Sequence, residues 1–475
     1  MSKIRVAVEG GGEVELRANV TSAKPFGFEC VLGMDAIKKL KGVNVLDETT
    51  VRFGVQSDVC GVVLGPCDDK SDSGELRVDE RDFSAVFNPG AKCWTVGWKW
   101  RDDQEPEVLR NVRSEYAVPR EARQRYEDEV QEWIKCGWLQ VYDERKLGPA
   151  KGLIPLMAVI QPSKDKVRPV MDFREVNGYI DAYTGDADVC ADKLREWRKM
   201  GAQVSMVDLA KAYLQVRVEK KLWPYQTVVF KDKRYCLTRL GFGLNVAPLV
   251  MKAVLNKVLA QNSEVRRGTS AYVDDVLVRE DIVPVQEVVK HLEKYGLTSK
   301  QPESMQAGAR ALGLQVWGEG GALRWRRGGT IPEVPPQVTR RDVFSICGKL
   351  VSHYPVCGWL RVSAAYIKRR ASQVTERWDD VVTDGAVVKC LSETVEAVKV
   401  NDPVKGRWDV DDGATTVWVD ASSLALGAVV EVGGCVVEDA CWLRKDEAGH
   451  INMAELDALI KGLNLVLAWH AKRWK

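Results

Sequence analysis

Apolar and polar positions along this chain follow two periods. Residues 3–20 set Ile4, Val6 and Val8, then Val14 and Leu16, on alternate positions either side of Gly10-Gly11-Gly12, which predicts a β-hairpin. A short helix is expected at 35–40. From Pro119 to about Cys136 the period lengthens. Tyr126, Val130, Trp133 and Ile134 recur at i, i+4, i+7 and i+8, the stripe of an amphipathic helix with proline in its first turn. Strand-like and helix-like runs then alternate from Leu153 to Val278, and 269–278 reads as strand, tight turn, strand around Asp274-Asp275. Val343, Phe344, Ile346 and Leu350 mark another helical stripe. Residues 379–407 carry one helical stretch, 415–430 and 435–443 read as strands, and 453–469 as a closing helix. There is no internal repeat.

The length, 475 residues, implies about three to four units of ~100–200 residues. With 45% hydrophobic and 29% charged residues the chain is globular rather than disordered. Sixty-nine basic against 67 acidic side chains leave a net charge of +2, so bulk charge neither announces nor excludes a nucleic-acid partner. Local charge says more. Residues 68–107 hold 11 acidic and 6 basic side chains among Gly, Pro and Ser, the composition of a linker or loose lead-in despite Trp94, Trp98 and Trp100. Residues 324–377 reverse the balance, 11 basic against 3 acidic. The twelve cysteines form no C-x-x-C pair and only four histidines are present, which argues against structural zinc and for thiols in a reducing compartment. The longest apolar run, 153–160, is far short of the ~20 residues of a membrane helix, and the first residues lack the apolar core of a signal peptide. An intracellular chain without a membrane partner is expected.

The sharpest chemical signal is acidic. Val204–Val207 is a strand-like run ending at Asp208, and a hairpin turn downstream carries Asp274 and Asp275. A carboxylate at a strand end beside a turn bearing two more can hold two divalent cations ~3.5–4 Å apart, which stabilise the attacking and the leaving oxygen of a phosphoryl transfer. Magnesium suits such sites, because few carboxylates, waters and substrate phosphates complete its shell. Taken alone, an Asp-Asp turn is ordinary, since aspartate is a good turn residue. Its company changes that.

Tyr272-Val273-Asp274-Asp275 resembles the Y-x-D-D box of reverse transcriptases, and Asp208-Leu209-x-x-Ala212-Tyr213 their first metal-binding motif. Gly241-Phe242-Gly243-Leu244-Asn245-Val246-Ala247-Pro248 is similar to the F-G-L-x-x-A-P motif of gypsy-like LTR retrotransposons. Val167-Arg168-Pro169-Val170-Met171-Asp172-Phe173-Arg174-Glu175-Val176-Asn177 resembles their fingers motif. Gly296-Leu297-Thr298-Ser299-Lys300 and Leu312-Gly313 fall where later palm motifs come, so that six motifs run in order over roughly 150 residues. Departures are Val167 for the usual tryptophan, Val246 for a frequent asparagine, and Phe242 where retroviruses carry glutamine.

The resemblance implies roles. Asp208, Asp274 and Asp275 would be the catalytic metal ligands for two Mg²⁺ ions (Mn²⁺ as a substitute), with the Leu209 carbonyl as an added ligand. Lys164 and Arg168, on a fingers hairpin, would meet the dNTP triphosphate, a guanidinium suiting bidentate phosphate contact. Tyr213 would be the steric gate against a ribose 2′-OH, Tyr272 would line the substrate site, and Gly243 would let the backbone approach the nucleotide and template. Leu312 and Gly313 would form the primer grip. Plainer readings stand beside these: Arg168 as a surface ion pair, Tyr213 as a core aromatic, and Asp172 with Arg174 as a structural pair.

The basic run, with Arg324-Trp325-Arg326-Arg327, Thr339-Arg340-Arg341 and Lys368-Arg369-Arg370, lies where the family carries its thumb and connection, and would contact duplex phosphates. Trp325, Tyr354, Trp359 and Tyr366 are expected mainly in the core. Asp420 and Glu455 are similar to the first two carboxylates of RNase H domains. The third and fourth do not occur before Lys475, so little RNA cleavage is expected. Residues 30–37 resemble the end of retropepsin-like proteases without the D-[ST]-G loop, which marks Asp35 as a helix-start residue.

The expected fold is a multidomain α+β right-hand polymerase (fingers, palm with an antiparallel sheet, thumb) followed by a partial RNase H-like α/β domain. The expected divisions are a retropepsin-like remnant at 1–45, a linker at 46–115, fingers and palm at 116–320, thumb and connection at 321–400, and the RNase H-like part at 405–475. The implied function is RNA-directed DNA synthesis with dNTPs on a primed RNA or DNA template. The setting would be a retrotransposon polyprotein, gypsy-like or BEL/Pao-like, cytoplasmic or particle-associated. The alternatives are a catalytically inactive nucleic-acid-binding remnant and, disfavoured by Tyr213, an RNA-dependent RNA polymerase.

Overall fold

The structure is a computed structural model. It describes residues 76–110, 116–161, 166–180, 189–410, 413–444 and 450–470, and the backbone of four short strands nearer the N-terminus. The chain divides into two compact units, Met1–Gly74 and Glu75–Lys475. In the first, the alternation at 3–20 forms the antiparallel hairpin Ser2–Val8 with Gly12–Ala18, and Val43–Val45 pairs with Val51–Phe53. The helix expected at 35–40 and the 30–37 motif with Asp35 lie outside the described residues.

In the second unit the expected lead-in is corrected. Arg77–Asp79, Phe83–Asn88 and Cys93–Trp98 form consecutive strands of a four-stranded sheet completed by Arg217–Val218. Phe83, Ala85, Phe87, Trp94, Val96 and Trp98 are buried in the same core as the helix Arg123–Lys135 and the helix Ala247–Leu259. Counting charge over 68–107 hid this: the acids at 79–107 lie at exposed or half-exposed positions, while Phe83, Ala85 and Phe87 point inward. Trp94 donates its indole N–H to the Tyr295 carbonyl at 3.2 Å. Gly296, at φ +75°, lies so close that a Cβ would fall on the Lys92 carbonyl oxygen. Gly296→Ala is therefore expected to cost about 2–4 kcal/mol through strain at a positive φ and a clash with backbone, read as a lower urea midpoint.

The carboxylate-bearing strands lie in a four-stranded antiparallel sheet ordered Thr269–Tyr272, Asp275–Arg279, Val204–Asp208, Glu303–Ser304. Its sides pack into different cores. Val207, Val276 and Val278 belong to the one just described, whereas Val204, Met206 and Leu277 join a second, as strand alternation requires. That second core is filled by the hairpin Leu314–Glu319 with Ala322–Arg327 and by the helices Arg340–Val351, Leu360–Val374 and Gly385–Val400. Trp325 and Tyr354 are buried there, while Trp359 and Tyr366 lie on the surface.

The chain closes with the sheet Thr415–Ala421, Ala425–Val432, Cys435–Leu443 and the helix Ile451–His470. Arginines tie this sheet to the helix Val189–Arg198 and to the helix at 360–374. Arg195 pairs with Glu438 at 2.6 Å, Arg361 pairs with Asp439, and the fully buried Arg198 donates to the carbonyls of Arg407, Trp408 and Val437. Among the described residues there is no helix long and apolar enough to cross a membrane, and the cysteines are free thiols.

Candidate active site

Strand register brings the acidic residues together. Asp208, last in its strand, is the Cα partner of Asp275, and Asp275 in turn pairs with Tyr272 across the two-residue turn Val273-Asp274. Residues directly opposite in an antiparallel pair present their side chains to the same side of the sheet, so Asp208 and Asp275 share a face while Asp274 occupies the turn. Val273 takes φ +55°, a conformation that costs a β-branched residue energy. The Asp274 carbonyl accepts from Leu209 N–H at 3.1 Å, fastening the turn to the strand end.

Burial pushes the half-buried Asp274 carboxyl above the usual carboxylate range, and the nearby Asp208 charge adds to this against the opposing pull of Lys300 and Arg168. A carboxyl raised by burial beside a second acid gains from a nearby cation. The hard oxygen donors here suit Mg²⁺ or Mn²⁺. Among the described residues, however, no three His, Cys, Asp or Glu side chains are gathered closely enough to hold a metal ion. The Asp208 carboxylate instead accepts from Lys300 Nζ at 2.7 Å. Backbone placement and donor chemistry thus fit a divalent-ion site, and the side-chain gathering is incomplete.

Tyr213, on the short helix Ala212–Gln215, lies edge-on to Phe242 with ring centroids 5.1 Å apart. Burial, with a contribution from the Asp274 charge, pushes its phenol up to about 12, so it stays neutral. Leu209 is buried, and Tyr272 is half-buried with its hydroxyl against Cys190. Gly243, at φ +102°, has no room for a Cβ, which would sit 2.9 Å from the Met171 carbonyl. Arg168 is exposed on the strand Lys166–Met171, whose hairpin partner is Leu156–Gln161. Lys164 lies outside the described residues.

Leu312 and Gly313, at φ +46° and +82°, make the turn between Ala309–Ala311 and Leu314–Glu319, and a ring nitrogen of His353 lies 2.6 Å from the Leu312 carbonyl. Asp420 and Glu455 are both exposed on the C-terminal sheet and helix. Asp172 and Arg174 form the structural pair, joined by the Tyr116 hydroxyl, and the Arg174 hydrogen bonds hold the Asp172 carboxyl well below the usual range.

Some supports went unnoticed in the sequence. Asn177 donates to the Gly243 carbonyl at 2.9 Å and accepts from Asn245 N–H at 2.9 Å, pinning the 241–245 loop. Gln215 bonds Thr298 through both ends of its amide. The only trace was Asn177 at the end of one motif and Gln215 two residues past another. The basic run is also less available than its composition suggests. Arg327, Arg341, Arg361 and Arg370 pair with Asp402, Asp379, Asp439 and Asp384. No carboxylate among the described residues pairs with Lys349, Lys368 or Arg369.

Residues 157–301 match the family described as reverse transcriptase (RNA-dependent DNA polymerase). Residues 157–301 are a reverse transcriptase domain. This domain contains Lys164, Arg168, Asp208, Leu209, Tyr213, Gly243, Tyr272, Asp274, Asp275 and Lys300, whereas Leu312 and Gly313 lie beyond the match. Residues 339–400 match a domain of unknown function, DUF7047. The reverse transcriptase domain and its flanks are similar to the Gag-Pol polyprotein of woolly monkey sarcoma virus, 23% identical over 306 residues, covering 58% of this chain and 18% of that protein. The Gag-Pol polyprotein of gibbon ape leukemia virus is 24% identical over 354 residues, covering 67% and 20%. The chain therefore spans about a fifth of the length of these curated relatives.

Among solved structures, the foamy viral protease-reverse transcriptase dRH in complex with ds DNA is similar with a TM-score of 0.58. It is 16% identical, covering 77% of this chain and 63% of that one. The foamy viral protease-reverse transcriptase in complex with RNA/DNA hybrid gives 0.55 at 16% identity, covering 76% and 49%. At this identity the likeness shows the fold, that of a reverse transcriptase in a mixed α/β chain of several antiparallel sheets.

Proposed function

We propose that this chain is an RNA-directed DNA polymerase from a retroelement polyprotein. The primer 3′-OH attacks the α-phosphorus of a dNTP and pyrophosphate leaves. The observation that carries the reading is the meeting of Asp208, Asp274 and Asp275 at one strand end and turn, inside the span that matches the reverse transcriptase family. The viral relatives and the nucleic-acid complexes of the structural neighbours support a primed template as partner.

In this reading the three aspartates hold the divalent ions, which when bound would stabilise charge on the attacking and leaving oxygens. The exposed Arg168, with Lys164, receives the triphosphate by charge-assisted hydrogen bonds. The strap between Leu209 and Asp274 keeps the acids in register. Leu312 and Gly313, braced by His353, position the primer, and Lys349, Lys368 and Arg369 supply phosphate contacts that weaken as salt rises.

Tyr213 wedged against Phe242 supports a rigid steric gate. Tyr213→Val is expected to raise ribonucleotide incorporation by roughly ten- to a hundredfold relative to deoxynucleotide, measured as the ratio of kcat/KM for rNTP and dNTP. An unchanged ratio would remove the gate assignment. The function as a whole is tested by primer extension on poly(rA)/oligo(dT) with dTTP and Mg²⁺. Extension is expected; a folded protein that binds the duplex yet adds no nucleotide would instead be a non-catalytic nucleic-acid binder.

A further inference from the structure

The Asp208 carboxylate is held by a lysine whose backbone is strapped beside it. Lys300 N–H donates to the Asp208 carbonyl at 2.8 Å, and Ala210 N–H donates to the Thr298 carbonyl at 2.9 Å. Gln215 locks the same segment: its amide oxygen accepts from Thr298 N–H at 2.6 Å, and its amide nitrogen donates to the Thr298 and Ala210 carbonyls at 2.8 and 2.5 Å. The Lys300 backbone is therefore fixed against the strand end, while its ammonium rides on a flexible four-carbon stem. Its side chain is 59% exposed, so the ammonium can leave Asp208 for water without disturbing the strap.

We propose that Lys300 is an internal cation that occupies Asp208 in the metal-free protein and is displaced when a divalent ion assembles the site. The inference rests on the proposed carboxylate site and adds a competitor to it. It accounts for two observations together: register juxtaposes three acids, yet their side chains are not gathered at metal-ligating separation. A lysine beside Asp208 neutralises one of the acids while the ion is absent, and the ion must then outcompete it. Because the pair is largely exposed, it contributes modestly and slows no approach; it sets the concentration at which the ion takes over.

The test is Mn²⁺ binding to the full chain without nucleic acid or nucleotide, followed by the loss of the free-ion electron paramagnetic resonance signal. Lys300→Met is expected to tighten Mn²⁺ binding by about two- to fivefold, and Lys300→Arg, which keeps a cation on Asp208, to leave it at or below the wild-type level. Lys211→Met removes a neighbouring charge whose partner is Glu129, and is expected to change nothing, separating contact with Asp208 from general electrostatics. Asp274→Asn reports on the site itself. Mn²⁺ binding lost in Asp274→Asn but unchanged or weakened in Lys300→Met would overturn the displacement and leave the proposed function standing. An equal gain in Lys211→Met would also overturn it. Binding unaffected by Asp274→Asn would overturn both.

Discussion

Asp274→Asn is expected to lower primer extension by roughly 10³-fold or more, about 4 kcal/mol of transition-state stabilisation, while the protein stays folded. The substitution keeps the shape of the side chain and removes its charge. The charge does not hold the fold together, because burial and Asp208 both push the Asp274 carboxyl above its ordinary range. A carboxyl with a raised folded pKa opposes folding once it ionises. Below the unfolded pKa of ~3.9, wild type and variant should therefore be equally stable. As pH rises from there through the raised folded value, wild type should fall behind Asp274→Asn, and the gap should then stay constant. Single-nucleotide addition rates, with urea midpoints at about pH 3 and pH 8 in the absence of metal, check both halves. A variant that loses activity and also loses stability at pH 8 would mean the carboxylate is structural.

Arg198→Ala is expected to destabilise the protein by about 3–5 kcal/mol. The guanidinium is fully buried, donates at 3.0, 2.6 and 3.0 Å to the carbonyls of Trp408, Val437 and Arg407, and lies 5.2 Å from the centre of the Trp469 ring. Burial lowers its pKa to about 10, so it remains charged at neutral pH. Alanine leaves three carbonyls without these donors and opens a cavity where the side chain was, both among the costliest single-site changes. Arg198→Lys should rescue little, since one ammonium cannot reproduce a planar fork spanning three acceptors. Urea midpoints measure the loss, and limited proteolysis should show residues 413–470 released first. A midpoint shift worth less than about 1 kcal/mol would mean that water replaces the guanidinium without cost.

What the sequence made legible was local or motif-borne. The alternation at 3–20, the stripe at 126–134 and the strand–turn–strand at 269–278 are short-range patterns, and each forms the element it predicts. Asp208 and Asp275 were legible as strand-end residues, and register makes them Cα partners with Asp274 in the turn beside them. The misreadings came from averaging. Residues 68–107 have linker-like charge in bulk, but Phe83–Asn88 alternates and Cys93–Trp98 is almost wholly buried, and position in the strand decides burial. The basic run is in part neutralised by acids far off in sequence: Asp402 is 75 residues from Arg327, and Asp439 is 78 from Arg361. Lys300 meets Asp208 across 92 residues. Contacts of that span are set by topology, and no window on the chain contains both partners.

The burial of the strand interiors at 83–87 and 93–98 bears on where the chain can be cut. A protease needs an extended, accessible segment, and these strands offer none, with Trp94 hydrogen-bonded to Tyr295 and Lys92 pressed against Gly296. Cutting within Phe83–Asn88 or Cys93–Trp98 would therefore open the core they fill. The same holds at the bench. A recombinant fragment begun at residue 157, where the family match starts, would discard one wall of the hydrophobic interior and leave the other facing water. Its insolubility would say nothing about catalysis.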